Sequence, residues 1–278
     1  MPEALQSLLD PAFAGVLAFA AVVLLTPAVI RLAQAVGWVA HPQADRWHAT
    51  PTALMGGIAI FVGATVALAM TNTAQLISPI WLGASLMFVT GLIDDVWEIR
   101  PAAKLTMQVV ATSLLLYSGY AFGHDWALWL SLPLTLVWVV GITNAINLLD
   151  NMDGLSAGVA GIAAGVMVVF AAMADSTLAV VIGTPVVGAA FGFLVYNFKP
   201  ARIFMGDCGS LFLGYIVAAL GLIIQKDAVA AGPVAVALVP LAVLAVPIFD
   251  TTLVTLVRKL SGRAISQGGR DHSSHRLV

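Results

Sequence analysis

Long apolar runs broken by short polar loops dominate this chain. Segments of about 17–25 apolar residues are long enough to cross a bilayer as helices. Nine such segments are expected, near 12–36, 54–70, 76–93, 105–122, 127–143, 155–174, 178–195, 209–225 and 233–257. They are rich in Ala, Val, Leu and Gly, and the period-two alternation of a β-barrel is absent, so the pattern predicts an all-α, polytopic transmembrane helix bundle. Small residues recur four apart at Ala157, Gly161 and Gly165 and again at Gly188 and Gly192, a spacing that favours close helix packing.

Alternating the loops between two faces separates them by charge. One face receives 37–53, 94–104, 144–154, 196–208 and 258–278; the other receives the N-terminus and short links near 71–75, 123–126, 175–177 and 226–232. Of the 12 Lys and Arg, 11 fall on the first face, counting Arg31 at the end of the first span; Lys226 is the exception. Positive charge marks the cytoplasmic side, so the N-terminus is expected outside and every long polar loop inside. The first span is long enough to cross and has no charged region before it, so it is read as retained rather than as a cleaved leader. No soluble domain and no repeat relating the halves is visible, which weakens a transporter built from inverted repeats.

Composition agrees. Hydrophobic residues are 60% of the chain and charged residues 9%, against roughly a quarter charged in soluble domains. A net charge of −2 with so few basic residues leaves no stripe for tracking nucleic acid. The lone Cys208 excludes an intrachain disulfide and a cysteine-rich metal site.

Candidate chemistry gathers in the loops of the first face. Asp94 and Asp95 follow the third span, with Arg100 and Lys104 close behind. A solvated helix end neutralised by those two cations would explain one acidic pair. Adjacent carboxylates also suit a hard divalent cation, since Mg²⁺ takes one or two carboxylates plus substrate phosphates, and Lys104 could meet a phosphate as a point charge. In the next loop Asn144, Asn147 and Asp150 are three apart, so a helical turn would stack them on one face. Asp153 suits an N-cap for the helix beginning at Leu155. Asp207 precedes a run of small residues opening another helix, where it could cap the helix or hold a metal. Phe204 could stack on a base or anchor the interface. Gly56 and Gly57 read as packing residues, since no GxxxxGK loop is present. Arg46 and His48 lie in the first loop, and His272 and His275 sit three apart in the tail beside Asp271 and Arg276, where metal, phosphate and acid–base roles all remain open. Asp250 is eight residues before Arg258, roughly 12 Å deep at 1.5 Å per residue, and an ionisable group there is a functional candidate.

Five loop motifs in this order resemble the polyprenyl-phosphate N-acetylhexosamine-1-phosphate transferases. They are RWHATPTALMGG (46–57), DDVWEIRPAAKLTMQ (94–108), NAINLLDNMDGLSAG (144–158), NFKPARIFMGDCGSLFLG (197–214) and DHSSHRL (271–277). That family includes the bacterial undecaprenyl-phosphate GlcNAc-1-phosphate transferases and the phospho-N-acetylmuramoyl-pentapeptide transferases. The resemblance implies transfer of a sugar 1-phosphate from a UDP-N-acetylhexosamine to a membrane polyprenyl phosphate, with release of UMP, at the cytoplasmic face of the bacterial inner membrane. It implies Mg²⁺, which Mn²⁺ could replace. Asp207 would bind the metal, with Asp150 on the metal side. Asp94 and Asp95 would lie at the reacting phosphates, and Asp153, His272 and His275 would join the catalytic set. Arg46, His48, Lys104, Asn144, Asn147, Asp150, Asn197, Phe204 and Arg276 would bind substrate, Phe204 by stacking on uracil. Two copies could pair as a homodimer. Relative to the family pattern, Asn151 stands where glycine is usual, Cys208 sits beside the metal aspartate, and two serines separate His272 from His275. The tail and the Arg100–Lys104 pattern look closer to the GlcNAc branch; the pentapeptide donor is the alternative. The family continues into one or two further membrane helices, so this single integral-membrane domain is expected to be a shorter form. From other classes, an ion-coupled transporter would need polar groups near the midplane, and a CDP-alcohol phosphotransferase would need its DGxxAR signature.

Overall fold

The computed structural model describes residues 3–40, 51–72, 74–75, 78–123, 126–227 and 233–261. Ten helices account for most of them: α1 Glu3–Val36, α2 Gly57–Thr71, α3 Pro79–Trp97, α4 Pro101–Tyr117, α5 Leu128–Leu148, α6 Leu155–Met173, α7 Thr177–Asn197, α8 Gly206–Asp227, α9 Pro233–Val243 and α10 Ala245–Leu260. Two residue pairs, β1 (Val39–Ala40) and β2 (Thr52–Ala53), form a short antiparallel ladder.

Among the described residues, six helices are long and apolar enough to cross a membrane: Pro11–Val36, α3, α5, α6, α7 and α8. The helix α2 is apolar but shorter, at 15 residues. The expected ninth span is corrected: residues 233–257 form two helices that meet at Leu244. Pro247 explains the break, because it has no N–H to donate to the carbonyl of Val243, the last residue of α9.

Helix α8 is the axis of the bundle. Every residue from Cys208 to Ile224 is buried, as expected of a helix that is apolar on all sides. The helices α2, α3, α5, α6 and α7 pack around it. Glycines set how near they come. A Cβ on Gly214 would meet the backbone of Thr143 in α5, and one on Gly83 in α3 would collide with the Tyr215 hydroxyl of α8. The four-residue spacings behave as packing seams: Gly188 and Gly192 of α7 lie against the α1 backbone at Gly15 and Phe19, and Gly161 of α6 faces Ala190 of α7.

Polar side chains collect at the two ends of this bundle. At one end Gln225 accepts from the Gly123 N–H (3.1 Å) and Asp227 from the Ser176 hydroxyl (2.8 Å). Lys226, the cation that broke the charge pattern, lies 4.4 Å from the Tyr120 ring centre and 3.5 Å from the Ser118 carbonyl at the end of α4. The other end carries the candidate chemistry.

Candidate active site

Four helix ends converge there: the C-terminal ends of α3 and α5 and the N-terminal ends of α4 and α8. The α3–α4 connection is tight. Glu98 adopts a left-handed conformation, Pro101 opens α4, and Asp94 Oδ1 accepts the Ile99 N–H at 2.8 Å. That turn brings Lys104 back onto its own hairpin, where Nζ lies 2.5 Å from Asp94 Oδ2 and 2.5 Å from Asp207 Oδ2. All three side chains are mostly covered, with 14–28% of each exposed. Lysine 104 therefore does neutralise Asp94, as the solvated-end reading supposed, but it also ties α3 and α4 to α8.

Asn147 completes the contact from α5. Its Nδ2 donates to Asp207 Oδ1 and to Ser210 Oγ, both at 2.8 Å. Asn144, one turn earlier, forms a reciprocal amide pair with the buried Gln108 of α4, at 3.0 and 3.2 Å. Asp150 lies just past the end of α5, beside the Gly206 backbone. Burial first, and then the neighbouring Asp207 and Asp95 carboxylates, push Asp150 up to about 8.

Asp95 points elsewhere. Its Oδ1 accepts the Asp207 N–H at 2.8 Å and its Oδ2 the Cys208 N–H at 3.0 Å. Gly206 has φ of 74° and lies over this carboxylate, where a Cβ would stand 2.7 Å from Oδ2. Gly91, one turn before Asp95, lies against the Asp207 backbone with no room for a Cβ.

A second set of contacts braces the loops leading into α8. The segment 203–205 runs beside β2: Phe204 N–H donates to Ala53 O at 2.8 Å, Gly56 N–H to Phe204 O at 2.9 Å and Gly57 N–H to Met205 O at 2.8 Å. Gly56 abuts Phe193, and Gly57 abuts Gly209 and Cys208, so these glycines serve packing. Asn197 is buried and spans two loops, accepting the Gly154 N–H (3.1 Å) and donating to Ile203 O (2.9 Å). Asp153 does not cap α6; Gly154, left-handed at φ 72°, holds the cap position, and Asp153 Oδ2 accepts the Ala201 N–H at 3.0 Å. The chain direction after Met152 requires a positive φ that glycine adopts without strain, which puts the aspartate one residue too early to cap. Phe204 is half-buried on the bracing segment.

Ten expected site residues are thus described, and Asp94, Lys104, Asn147, Asp150 and Asp207 share one polar end with Asp95 behind them. Arg46, His48, His272, His275 and Arg276 lie outside the described residues. Gln108 and Ser210 were not singled out from the sequence, although a glutamine inside an apolar helix is a signal of an internal partner. Asp250 is buried with Arg258 on the inward face of α10, alongside Pro247 and Val254.

The electrostatics favour a cation. Asp94 and Asp207 share one ammonium, Lys104, and lie within hydrogen-bonding reach of each other, while the Asp95 and Asp150 carboxylates stand close to Asp207 without contacting Lys104. The donors are hard oxygens, which suits Mg²⁺. Among the described residues no three Asp, Glu, His or Cys side chains are arranged to enclose a metal. The protein would supply one or two oxygens and leave the rest to phosphates and water, which is the usual habit of Mg²⁺ sites.

Residues 77–225 match the family model described as glycosyl transferase family 4. A protein of Bacillus subtilis named as a probable undecaprenyl-phosphate N-acetylglucosaminyl 1-phosphate transferase is 35% identical over 268 residues, covering 92% of this chain and 74% of its own length. A decaprenyl-phosphate N-acetylglucosaminephosphotransferase of Mycobacterium tuberculosis is 32% identical, covering 91% and 72%. A phospho-N-acetylmuramoyl-pentapeptide-transferase of Lacticaseibacillus paracasei is 31% identical over a shorter match, 69% of this chain and 68% of the relative. With the matched region running from the start of α3 through nearly all of α8, the helices that assemble the acidic site, the chain belongs to glycosyl transferase family 4.

Proposed function

We propose that this chain transfers N-acetylhexosamine 1-phosphate, with GlcNAc-1-phosphate first, from a UDP-sugar to polyprenyl phosphate and releases UMP. The observation that carries this reading is the three-way contact of Asp94, Lys104 and Asp207, which joins two of the loop motifs at one end of a membrane-length bundle. Similarity over 92% of the chain to a protein named as a probable undecaprenyl-phosphate N-acetylglucosaminyl 1-phosphate transferase supports the substrate pair.

A phosphate oxygen of the lipid attacks the sugar-side phosphorus of the nucleotide, and the bond to the bridging oxygen breaks, so UMP leaves. Both reactants are anions, and their repulsion is the barrier the site must lower. Lys104 offers an ammonium at the point where the acidic side chains meet. It can turn from carboxylate to phosphate as a compact point charge. Asn147 holds Asp207 at a fixed angle, and Asn197 and Asp153 lock the loops that carry Phe204 and Asp150. Mg²⁺ held by Asp207, with Asp94 or Asp150 nearby, would polarise the diphosphate and offset the charge that develops on UMP. Phe204 offers a ring for the uracil. Direct attack is preferred over a covalent phospho-aspartate, because a phosphate dianion is already a nucleophile.

The membrane arrangement belongs to the same reading: a single integral-membrane domain with an external N-terminus and the acidic end at the cytoplasmic face, where a soluble nucleotide sugar can meet a lipid phosphate. The runner-up donor is UDP-MurNAc-pentapeptide, favoured by the third relative. The test is UMP release from a panel of UDP-sugars by the purified protein, with and without undecaprenyl phosphate. Lipid-dependent UMP release from UDP-GlcNAc is expected. Release only from the pentapeptide donor would move the chain to the other branch, and no lipid-dependent release from any donor would overturn the reading.

A further inference from the structure

We propose that Asp95 is a positioning residue that caps α8 from another helix and thereby frees Asp207 to face the reaction, while Asp94 alone of the adjacent pair looks into the site. The inference rests on the transferase reading for the meaning of "site", but its geometry stands apart from that reading.

Neighbouring residues on a helix point about 100° apart, so the two carboxylates of an adjacent acidic pair start out aimed at different neighbours. Here they divide. Asp94 meets Lys104, which also meets Asp207. Asp95 turns toward α8 and accepts one amide on each oxygen, at 2.8 and 3.0 Å. The first N–H groups of a helix have no partner within it. In α8 the N–H groups of Asp207 and Cys208 are both taken by Asp95, a carboxylate from another helix. Three glycines make this close approach feasible. Gly206 leaves space over the Asp95 carboxylate, Gly91 lets α3 reach the Asp207 backbone, and Gly57 lets α2 reach Gly209.

The consequence falls on Asp207. An aspartate in the first turn of a helix is drawn to that helix's own free amides. Were Asp95 absent, Asp207 could fold back onto them and leave Asn147 and Lys104. With Asp95 in place the amides are satisfied, and both Asp207 oxygens are held by Asn147 and Lys104 instead. Asp95 then acts on the reaction through where it holds Asp207, and a group with both oxygens engaged by backbone amides is poorly placed to accept a proton from a substrate.

The test uses the full chain in detergent, comparing Asp95→Ala, Asp95→Asn and the exposed control Glu98→Gln by hydrogen–deuterium exchange across the peptide 204–212 and by UMP release. Loss of a helix cap should speed exchange in that first turn by about tenfold in Asp95→Ala. Asp95→Asn keeps one acceptor and should show a smaller increase. Glu98→Gln should change neither readout. Turnover should fall in the order of the exchange change. Unchanged exchange in Asp95→Ala would overturn the inference, as would Asp95→Asn with wild-type exchange and no turnover, the signature of a reacting group. If Asp95→Ala does not fold, Asp95→Asn decides alone. Wild-type protein that releases no UMP would count against the transferase reading, while the exchange comparison would still decide whether Asp95 caps α8.

Discussion

Asp207 is held on both oxygens, and that double grip makes its substitutions informative. Asp207→Asn keeps an acceptor for Asn147 but turns an amide donor toward the Lys104 ammonium. We expect turnover to fall by about a hundredfold or more, with near-normal extraction and melting, because a charged ligand is lost while the fold loses little. Wild-type turnover at limiting Mg²⁺ would remove Asp207 from the metal. Asn147→Ala leaves the charge but releases its orientation, and a loss on the order of 10–100-fold is expected, the usual cost of removing a partner that aims a ligand. Asp150 supports a different measurement. Its folded-state value of about 8 lies above that of an unfolded aspartate, so the folded protein binds the extra proton. The stability it contributes is fully present below about pH 4 and is lost as pH rises through about 8. In chelator, the wild-type melting temperature should therefore decline between pH 5 and 9 more steeply than that of Asp150→Asn. Equal slopes would show that Asp150 is not held protonated.

At the scale of elements, the acidic end depends on helices approaching closer than side chains allow. Gly91→Val would drive a branched side chain into the Asp207 backbone. Helix α8 should shift its first turn, so transfer activity is expected to collapse while helical circular dichroism is kept; retained activity would show that this contact can yield. The same level separates what the sequence disclosed from what it could not. Helix α8 was legible as an apolar run, as were most of the other spans, because membrane-length hydrophobicity is a strong signal. The break between α9 and α10 was not read, since Pro247 sits in a run that stays apolar on both sides and only its missing N–H marks the join. Asp94, Lys104 and Asp207 were recognisable as candidates, because charged groups at membrane helix ends stand out. The division of labour between Asp94 and Asp95, the Gly154 cap and the Gln108–Asn144 pair were hidden: each depends on which way a side chain turns toward another helix.

For the molecule as a whole, α8 is an apolar rod fixed at two polar ends. One end carries Asp207 among the acidic groups; the other carries Gln225, Lys226 and Asp227, which bind the α4–α5 and α6–α7 turns. This explains how a lysine can stand on the face that lacks positive charge. Lys226 is engaged by the Tyr120 ring and the Ser118 carbonyl at the end of α4, where the helix dipole favours a cation. The proposed orientation then makes a prediction about which end faces which compartment. Cys208 is the lone cysteine and is buried, so the wild-type chain should give a blank with a membrane-impermeant maleimide. A cysteine introduced at the exposed Arg202 should label only in inside-out vesicles, and one at the exposed Thr177, at the start of α7, only in right-side-out cells. Each variant should first be checked for UMP release, so that labelling reports a working protein. The opposite pattern would turn the acidic end outward, away from nucleotide sugars, and with it overturn the assignment of this site to a cytoplasmic donor.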